Sequence, residues 1–488
     1  MFPTLVEAKE WAVTYPNIPV CREIYSDVKT PIEVLKTLKT VSRHCFMLES
    51  LESSRSWGRY TFLGFDPKLE LTCLDGKLTV NSGMKMTFDV VHPRDTIRQI
   101  LEENRSPRLP GMPPFTGGLV GYFAYDYIKY SEPTLKLDAE DTEGFMDVDL
   151  MLFDKVIAFD NLRQKMLLIV NIKTDALETN YRHAEMELEN LAQLVRHGTA
   201  KTPERGILKS ELRPLFTKER YCQMVARAKE FIREGDIFQV VPSNRWEADF
   251  EGSLFDAYRV FRTTNPSPYM FYFSGESAEI AGASPETLVK VSDGMVYTFP
   301  LAGSRPRGKT EAEDAQLEAE LLADPKELAE HNMLVDLGRN DLGKICAFGS
   351  VEVERYLQIL RFSHIMHIGS TVRGRLRSEC TPLDAMDAVL PAGTLSGAPK
   401  IRACEIINAL ENNKRGIYGG AIGYIDFSGN LDTCIGIRIA YKKNGKVFIR
   451  AGAGIVADSV PETEFQECVN KSQAVVNAIR TASEGIDL

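Results

Sequence analysis

The chain of 488 residues lacks any apolar run approaching the roughly eighteen residues that a membrane-crossing helix needs. It opens Met1-Phe2-Pro3-Thr4-Leu5-Val6-Glu7, without a basic segment or a long apolar core, so no secretory signal is expected. It has no Cys-x-x-Cys pair. Its nine cysteines are scattered, which predicts reduced thiols and a cytoplasmic setting rather than a disulfide framework. None lies in a Gly-x-Cys-x-Gly turn, so no cysteine nucleophile of the elbow type is expected. Histidine is scarce, with seven in all. His364 and His367 stand three apart, but with no His-Glu-x-x-His pattern and no third ligand a zinc site is not expected. Positive charge is also in deficit: 58 Lys and Arg against 68 Asp and Glu give −10, which argues against nucleic acid as a partner. An anionic substrate would therefore need local arginine or a metal.

What is present is ordinary for a globular chain, 44% hydrophobic and 26% charged. Strands are predicted over 46–50, 58–65, 69–74 and 77–80, the last two joined through Asp75-Gly76 as a hairpin with a type I′ turn. Two further strand-like runs cover 149–160 and 165–172, and 179–197 has helical spacing. The polar stretch His197-Gly198-Thr199-Ala200-Lys201-Thr202-Pro203 reads as a linker. It divides an N-terminal region, 1–205, from a second region, 213–482. A helix opening at Thr217 ends near Gly235. Helices do not alternate regularly with strands, so the expectation is an α+β fold with large antiparallel sheets rather than a doubly wound parallel sheet.

Three blocks of small, polar and charged residues stand out in the last third. They are Pro300-Leu301-Ala302-Gly303-Ser304-Arg305-Pro306-Arg307-Gly308, Gly393-Thr394-Leu395-Ser396-Gly397-Ala398-Pro399-Lys400 and Ala451-Gly452-Ala453-Gly454. Glycines beside hydroxyls and cations bring backbone N–H groups near a small anion. Upstream of the third block, 433–441 alternates as one strand. Ile435, Ile437, Ile439 and Tyr441 share a face, and Arg438 lies on the other between Gly436 and Ala440. A ligand fits above such small neighbours, and Arg438 offers a fork to a carboxylate. The plain alternatives are a solvent-facing arginine and, for the glycines, a bulge or turn.

Two helices carry paired carboxylates. Asp324 caps the first, with Pro325 at its opening position. Glu327 reads locally as a capping-box partner of Asp324, whereas Glu330 has no such role. In the second, beginning near Pro461, Glu464, Glu467 and Lys471 share a face, and a solvated Glu467–Lys471 ion pair is the commoner outcome. Two such pairs can also converge on one hard cation such as Mg²⁺.

Read in order, these blocks resemble the chorismate-utilising enzymes, most closely the large subunits of the anthranilate synthases. The same resemblance is carried by Gly235-Asp236-Ile237-Phe238-Gln239-Val240-Val241-Pro242-Ser243, Asn265-Pro266-Ser267-Pro268-Tyr269-Met270, Gly282-Ala283-Ser284-Pro285-Glu286, 330–341, 418–423 and Leu431-Asp432-Thr433-Cys434. It implies two large antiparallel sheets packed as a sandwich with helices outside. It also implies Mg²⁺ held by Glu330 and Glu467, with Glu327 and Glu464 in support. Gly303, Ser304, Tyr418, Arg438, Gly452, Ala453 and Gly454 would bind chorismate, with Glu286 as general acid, His367 assisting pyruvate elimination, and Thr394 in the pocket. Relatives that attack with water or form an enzyme adduct carry lysines where this chain has Gln239 and Ala302, so ammonia is the implied nucleophile. Position 304 is serine where the family often has threonine. Met47-Leu48-Glu49-Ser50 resembles the family's tryptophan sensor, with Ser50, Pro268, Tyr269 and Met270 forming an inhibitor site. No glutaminase element is present, so a separate glutaminase subunit in a heterotetramer is implied. The alternatives are an aminodeoxyisochorismate or aminodeoxychorismate synthase, or a catalytically silent tryptophan-sensing partner.

Overall fold

The computed structural model describes residues 1–51, 58–362 and 365–486; His364 lies outside them. The predicted hairpin forms as strands Leu69–Leu74 and Lys77–Asn81, with Leu74 opposite Lys77. Asp75 and Gly76 have φ of 48° and 78°, the two positive values that a type I′ turn requires. Thr217 caps the helix Lys218–Glu234 by accepting from the Arg220 N–H, and Gly235 ends it in the left-handed conformation.

Among the described residues most strands assemble into two antiparallel sheets of twelve strands each, to both of which both regions contribute, and Gln239–Val240 pairs separately with Gly397–Ala398. In the first sheet the seam is Cys45–Glu49 beside Tyr269–Ser274. In the second it is Gly118–Phe123 beside Ala421–Asp426. The facing sides bury an aromatic-rich layer that includes Phe46, Phe62, Phe271 and Phe448 from the first sheet and Tyr122, Phe153 and Ile422 from the second. Phe46 meets Phe153 edge-on at 4.7 Å between ring centres, the arrangement that ring quadrupoles favour. Helices Leu177–His197, Lys218–Glu234, Phe255–Thr264 and Pro461–Glu484 pack on the outside of the first sheet. Arg94–Glu103, Pro325–Gly343 and Pro382–Val389 pack on the outside of the second. The fold is the expected α+β sandwich with helices outside. Among the described residues no helix is long and apolar enough to cross a membrane.

Two long strand-like runs are each divided between the sheets. The run 149–160 becomes Val148–Phe153 in the second sheet and Lys155–Asp160 in the first, with the break at Asp154. The run 433–441 is likewise not one strand. Leu431–Ile435 belongs to the second sheet and Ile439–Lys443 to the first, and the chain crosses at 436–438. Both sides of the crossing are apolar, so alternation continues through it and hides it from the sequence. Arg438 occupies the crossing with φ of 53°.

Candidate active site

The crossing, the strand Leu301–Pro306, the end of Lys446–Gly452 and the first turns of Pro325–Gly343 and Pro461–Glu484 enclose a cavity of about 420 Å³. Gln239, Glu286, Gly303, Ser304, Thr394, Tyr418, Arg438, Gly452 and Gly454 line it together with His367 and the carboxylates Glu327, Glu330, Glu464 and Glu467. Ala453 is fully buried behind the wall, and its N–H donates to the Pro242 carbonyl at 3.2 Å.

Glu286 follows the strand Glu279–Ser284 and accepts a hydrogen bond from the Thr394 hydroxyl at 3.0 Å. Burial pushes its carboxyl up to about 7, against the opposing pull of Thr394. A protonated carboxylic acid therefore persists here near neutral pH. His367 lies on the strand Ile365–Arg375, opposite Ser304. Gly303, at φ of 72°, forms a bulge between Ala302 and Ser304, and its carbonyl stands 3.0 Å from His367 Nδ1. A carbonyl only accepts, so Nδ1 carries the proton and Nε2 keeps its lone pair. Burial lowers the imidazole's pKa, which favours the neutral ring.

On the opposite wall, burial lowers the affinity of Arg438 for its proton, partly offset by Tyr418. A Cβ on Gly454 would stand 2.6 Å from Gln239 Nε2, so any side chain there would displace the Gln239 amide. Lys471 Nζ reaches the Gly452 carbonyl at 3.2 Å. Behind this wall Glu411, Arg415 and Arg450 form a wholly buried cluster. Glu411 accepts from Arg415 and from the Ser243 N–H at 2.7 Å, which holds the strand beside Gly452 in place. One carboxylate between two guanidiniums leaves net positive charge beneath this wall of the cavity.

The four carboxylates are oxygen donors of the type a hard cation takes. Burial and the neighbouring Glu327 raise the Glu330 carboxyl, and burial and Glu467 raise that of Glu464. A divalent ion would relieve both effects. As placed, Glu330 accepts from Gln239 Nε2 at 3.1 Å, Glu327 pairs with Arg305 at 3.2 Å and Glu467 with Lys471 at 2.6 Å. Among the described residues no three acidic, histidine or cysteine side chains gather at metal-holding distance. The capping-box role expected for Glu327 is replaced by this pairing, although Asp324 does accept from its N–H at 3.3 Å.

The cations of the first two glycine-rich blocks do not face the cavity. Arg305 pairs with Asp324 at 2.9 Å, Arg307 with Asp314 at 2.7 Å, and buried Lys400 with Asp341 at 2.8 Å. Those side chains fasten the blocks to neighbouring helices, so backbone and small residues are what the first block offers the site. The sequence reading missed Lys326, Arg450 and Lys471 as cavity residues. The position of Lys471 on the face of Glu464 and Glu467 was the available signal for it.

A second cavity, about 180 Å³, lies at the seam of the first sheet. Leu48, Ser50, Pro268, Tyr269 and Met270 line it with Phe62, Lys290 and Asp432. Ser50 Oγ is buried there without a hydrogen-bond partner among the described residues. Tyr269 donates to Asp432 at 2.8 Å.

The sequence profile of the chorismate binding enzymes matches residues 43–477. The chain is 45% identical to anthranilate synthase component 1 of Acetivibrio thermocellus, over 99% of each chain. It is 42% identical to that of Pseudomonas aeruginosa, over 97% of each. The crystal structure of anthranilate synthase component I from Streptococcus pneumoniae superposes with a TM-score of 0.77 at 37% identity, covering 87% of this chain and 93% of that one. The menaquinone-specific isochorismate synthase of Escherichia coli, at 19% identity and a TM-score of 0.69 over 97% and 98% of the two chains, shares the fold.

Proposed function

This chain belongs to the chorismate binding enzyme family, and on that premise we propose that it converts chorismate and ammonia to anthranilate and pyruvate as the large subunit of an anthranilate synthase. The observation that carries this reading is Gln239. Its side chain is buried in the cavity wall, its Nε2 is held by Glu330, and its Oε1 has no partner among the described residues. An amide cannot deprotonate water, whereas a carbonyl oxygen accepts from the N–H of ammonia. The nucleophile is therefore one that needs no base.

Ammonia forms the bond to C2, the ring double bonds shift, and the C4–O bond breaks. The departing hydroxyl takes the proton of Glu286 and leaves as water. The new ammonium group gives up a proton, which balances the one Glu286 lost. Loss of the C2 proton to His367 Nε2 then breaks the C3–O bond and makes the ring aromatic, and the departing enolate takes a proton at its methylene carbon to become pyruvate. Arg438, Tyr418 and the Gly452–Gly454 backbone hold substrate carboxylate. Glu330 and Glu467 would hold Mg²⁺, with Glu327 and Glu464 in support. When bound, it supplies positive charge at the ring carboxylate. Glutamine-derived ammonia comes from a separate glutaminase subunit in a heterotetramer, and tryptophan inhibits from the seam cavity, where Ser50 Oγ has no hydrogen-bond partner among the described residues. The N-terminal region, 1–205, is the sensing part and 213–482 the catalytic part.

The test is anthranilate fluorescence with chorismate, Mg²⁺ and ammonium, with and without tryptophan. Anthranilate should appear, and a different chorismate product in its place would sink the assignment. Glu467→Gln should raise the Mg²⁺ concentration for half-maximal rate by about 10–100-fold, and an unchanged Mg²⁺ titration removes Glu467 from the metal set. Ser50→Phe should raise the tryptophan concentration for half-inhibition by about tenfold or more, equivalent to about 1.4 kcal/mol of lost binding. An unaltered inhibition curve contradicts the sensor role.

A further inference from the structure

The strand Lys85–Asp89 is the free edge of the second sheet. It pairs with Lys77–Asn81 on one side and, among the described residues, with no strand on the other. It is regular, with no proline and no bulge, and all five of its residues are exposed. Edge strands usually carry some device that blocks pairing with another chain.

The backbone pattern decides what this edge presents. The Val90 N–H donates to the Gly76 carbonyl at 2.8 Å. Bonded pairs recur at every second residue of an antiparallel ladder. Phe88 and Met86 thus bond inward to Leu78 and Val80, their partners in register. Lys85, Thr87 and Asp89 turn their N–H and C=O groups outward. Side chains follow the same alternation. Met86 and Phe88 share the face of Leu78 and Val80, which pack into the buried layer under the second sheet. That apolar stripe runs off the sheet uncovered, leaving Met86 54% and Phe88 41% exposed.

The segment Lys85-Met86-Thr87-Phe88-Asp89 is complementary to itself when reversed. Two antiparallel copies centred on Thr87 place Lys85 opposite Asp89, Met86 opposite Phe88 and Thr87 opposite Thr87. The opposed pairs with outward backbone groups are Lys85–Asp89 and Thr87–Thr87, so charge pairing and main-chain hydrogen bonding occur in one register. Among the described residues Lys85 reaches Glu276 at 3.4 Å, with both side chains more than half exposed, a pairing that is readily exchanged. We infer that this edge joins a second copy of the chain about a two-fold axis, continuing the second sheet across both copies. The inference rests on the edge alone and not on the cavity chemistry.

A charge-swap series on the full chain tests it by sedimentation equilibrium at tens of micromolar, where small interfaces are populated. The unaltered chain should dimerise. Lys85→Glu sets Glu against Asp89 of the copy, and Asp89→Lys sets Lys against Lys85. Each should weaken the dimer by about tenfold or more, because like charges face each other on both sides of the axis. The double variant, or an equimolar mixture of the two single variants, should recover it, since every opposed pair is again complementary. Recovery also shows that the single variants are folded. A monomeric unaltered chain, a dimer indifferent to either single change, or a failure of the double variant and the mixture to recover would each overturn the inference.

Discussion

Replacing Glu286 by glutamine is expected to lower kcat by roughly 10²–10⁴-fold, the usual range for loss of a positioned general acid. The amide keeps the shape of the side chain and can still accept from Thr394, so the cavity survives while the transferable proton is lost. The pH profile separates this role from a packing role. Burial holds the carboxyl near 7, and only its protonated form donates. The rate should therefore fall as pH rises through that value, and the glutamine variant should lose this alkaline limb. Stability responds with a defined sign. The folded state raises this pKa, so ionisation opposes folding, and the stability present at low pH declines as pH rises from the ordinary glutamate range through 7. The variant should melt higher than the parent at pH 8 and no higher at pH 4. An intact kcat, or an alkaline limb that persists in the variant, would remove Glu286 from the proton transfer.

Arg438→Gly should separate stability from activity. A non-glycine residue at φ of 53° is held in a conformation costing on the order of 1–2 kcal/mol, which glycine avoids. Relief of that strain should leave the melting temperature unchanged or slightly raised despite the lost side chain. The same change removes a buried guanidinium from the anion wall, and kcat/KM for chorismate should fall by about 10²–10³-fold. Thermal melts and steady-state rates on one preparation decide the point. A destabilised variant, or one with near-parental kcat/KM, would show that Arg438 is placed for packing. Strain retained at a cavity residue is the pattern expected where position serves a ligand.

Local chemistry made much of the architecture readable. The Asp75-Gly76 turn, the caps at Thr217 and Asp324 and the helix from Pro461 follow from signals within a few residues. What the sequence hid is non-local. At Asp154 and at 436–438 the chain changes sheets with apolar residues on both sides, and period-2 alternation says nothing about which sheet a residue joins. That crossing is what aims Arg438 into the cavity, so a residue that does line the cavity was singled out from a wrong picture of its strand. The first and second blocks misled in a complementary way. Arg305, Arg307 and Lys400 carry the charge expected of an anion site, yet each is matched to an acid outside its own block. Glu286 lies in an unremarkable Ser-Pro-Glu, and only the resemblance to a family singled it out. Its special feature, burial without a cation in contact, belongs to the tertiary structure.

The seam in the first sheet bears on how freely the proposed inhibition can be altered by mutation. Tyr269 faces Ser284 in register, and Ser284 Oγ lies 3.4 Å from the N–H of Glu286. On the far wall Asp432 and Cys434 lead within a few residues to the turn that holds Arg438. Half of the proposed inhibitor pocket is thus built on the strands that lead to the proposed catalytic groups, while Leu48 lies on, and Ser50 just past, the strand Cys45–Glu49, which ends elsewhere. Escape from feedback should therefore be lopsided. Changes at Leu48 or Ser50 should relieve the proposed inhibition and leave turnover intact, whereas changes at Tyr269 or Asp432 should also slow the enzyme. On the proposed roles, the pocket should have one wall open to selection and one held fixed by catalysis.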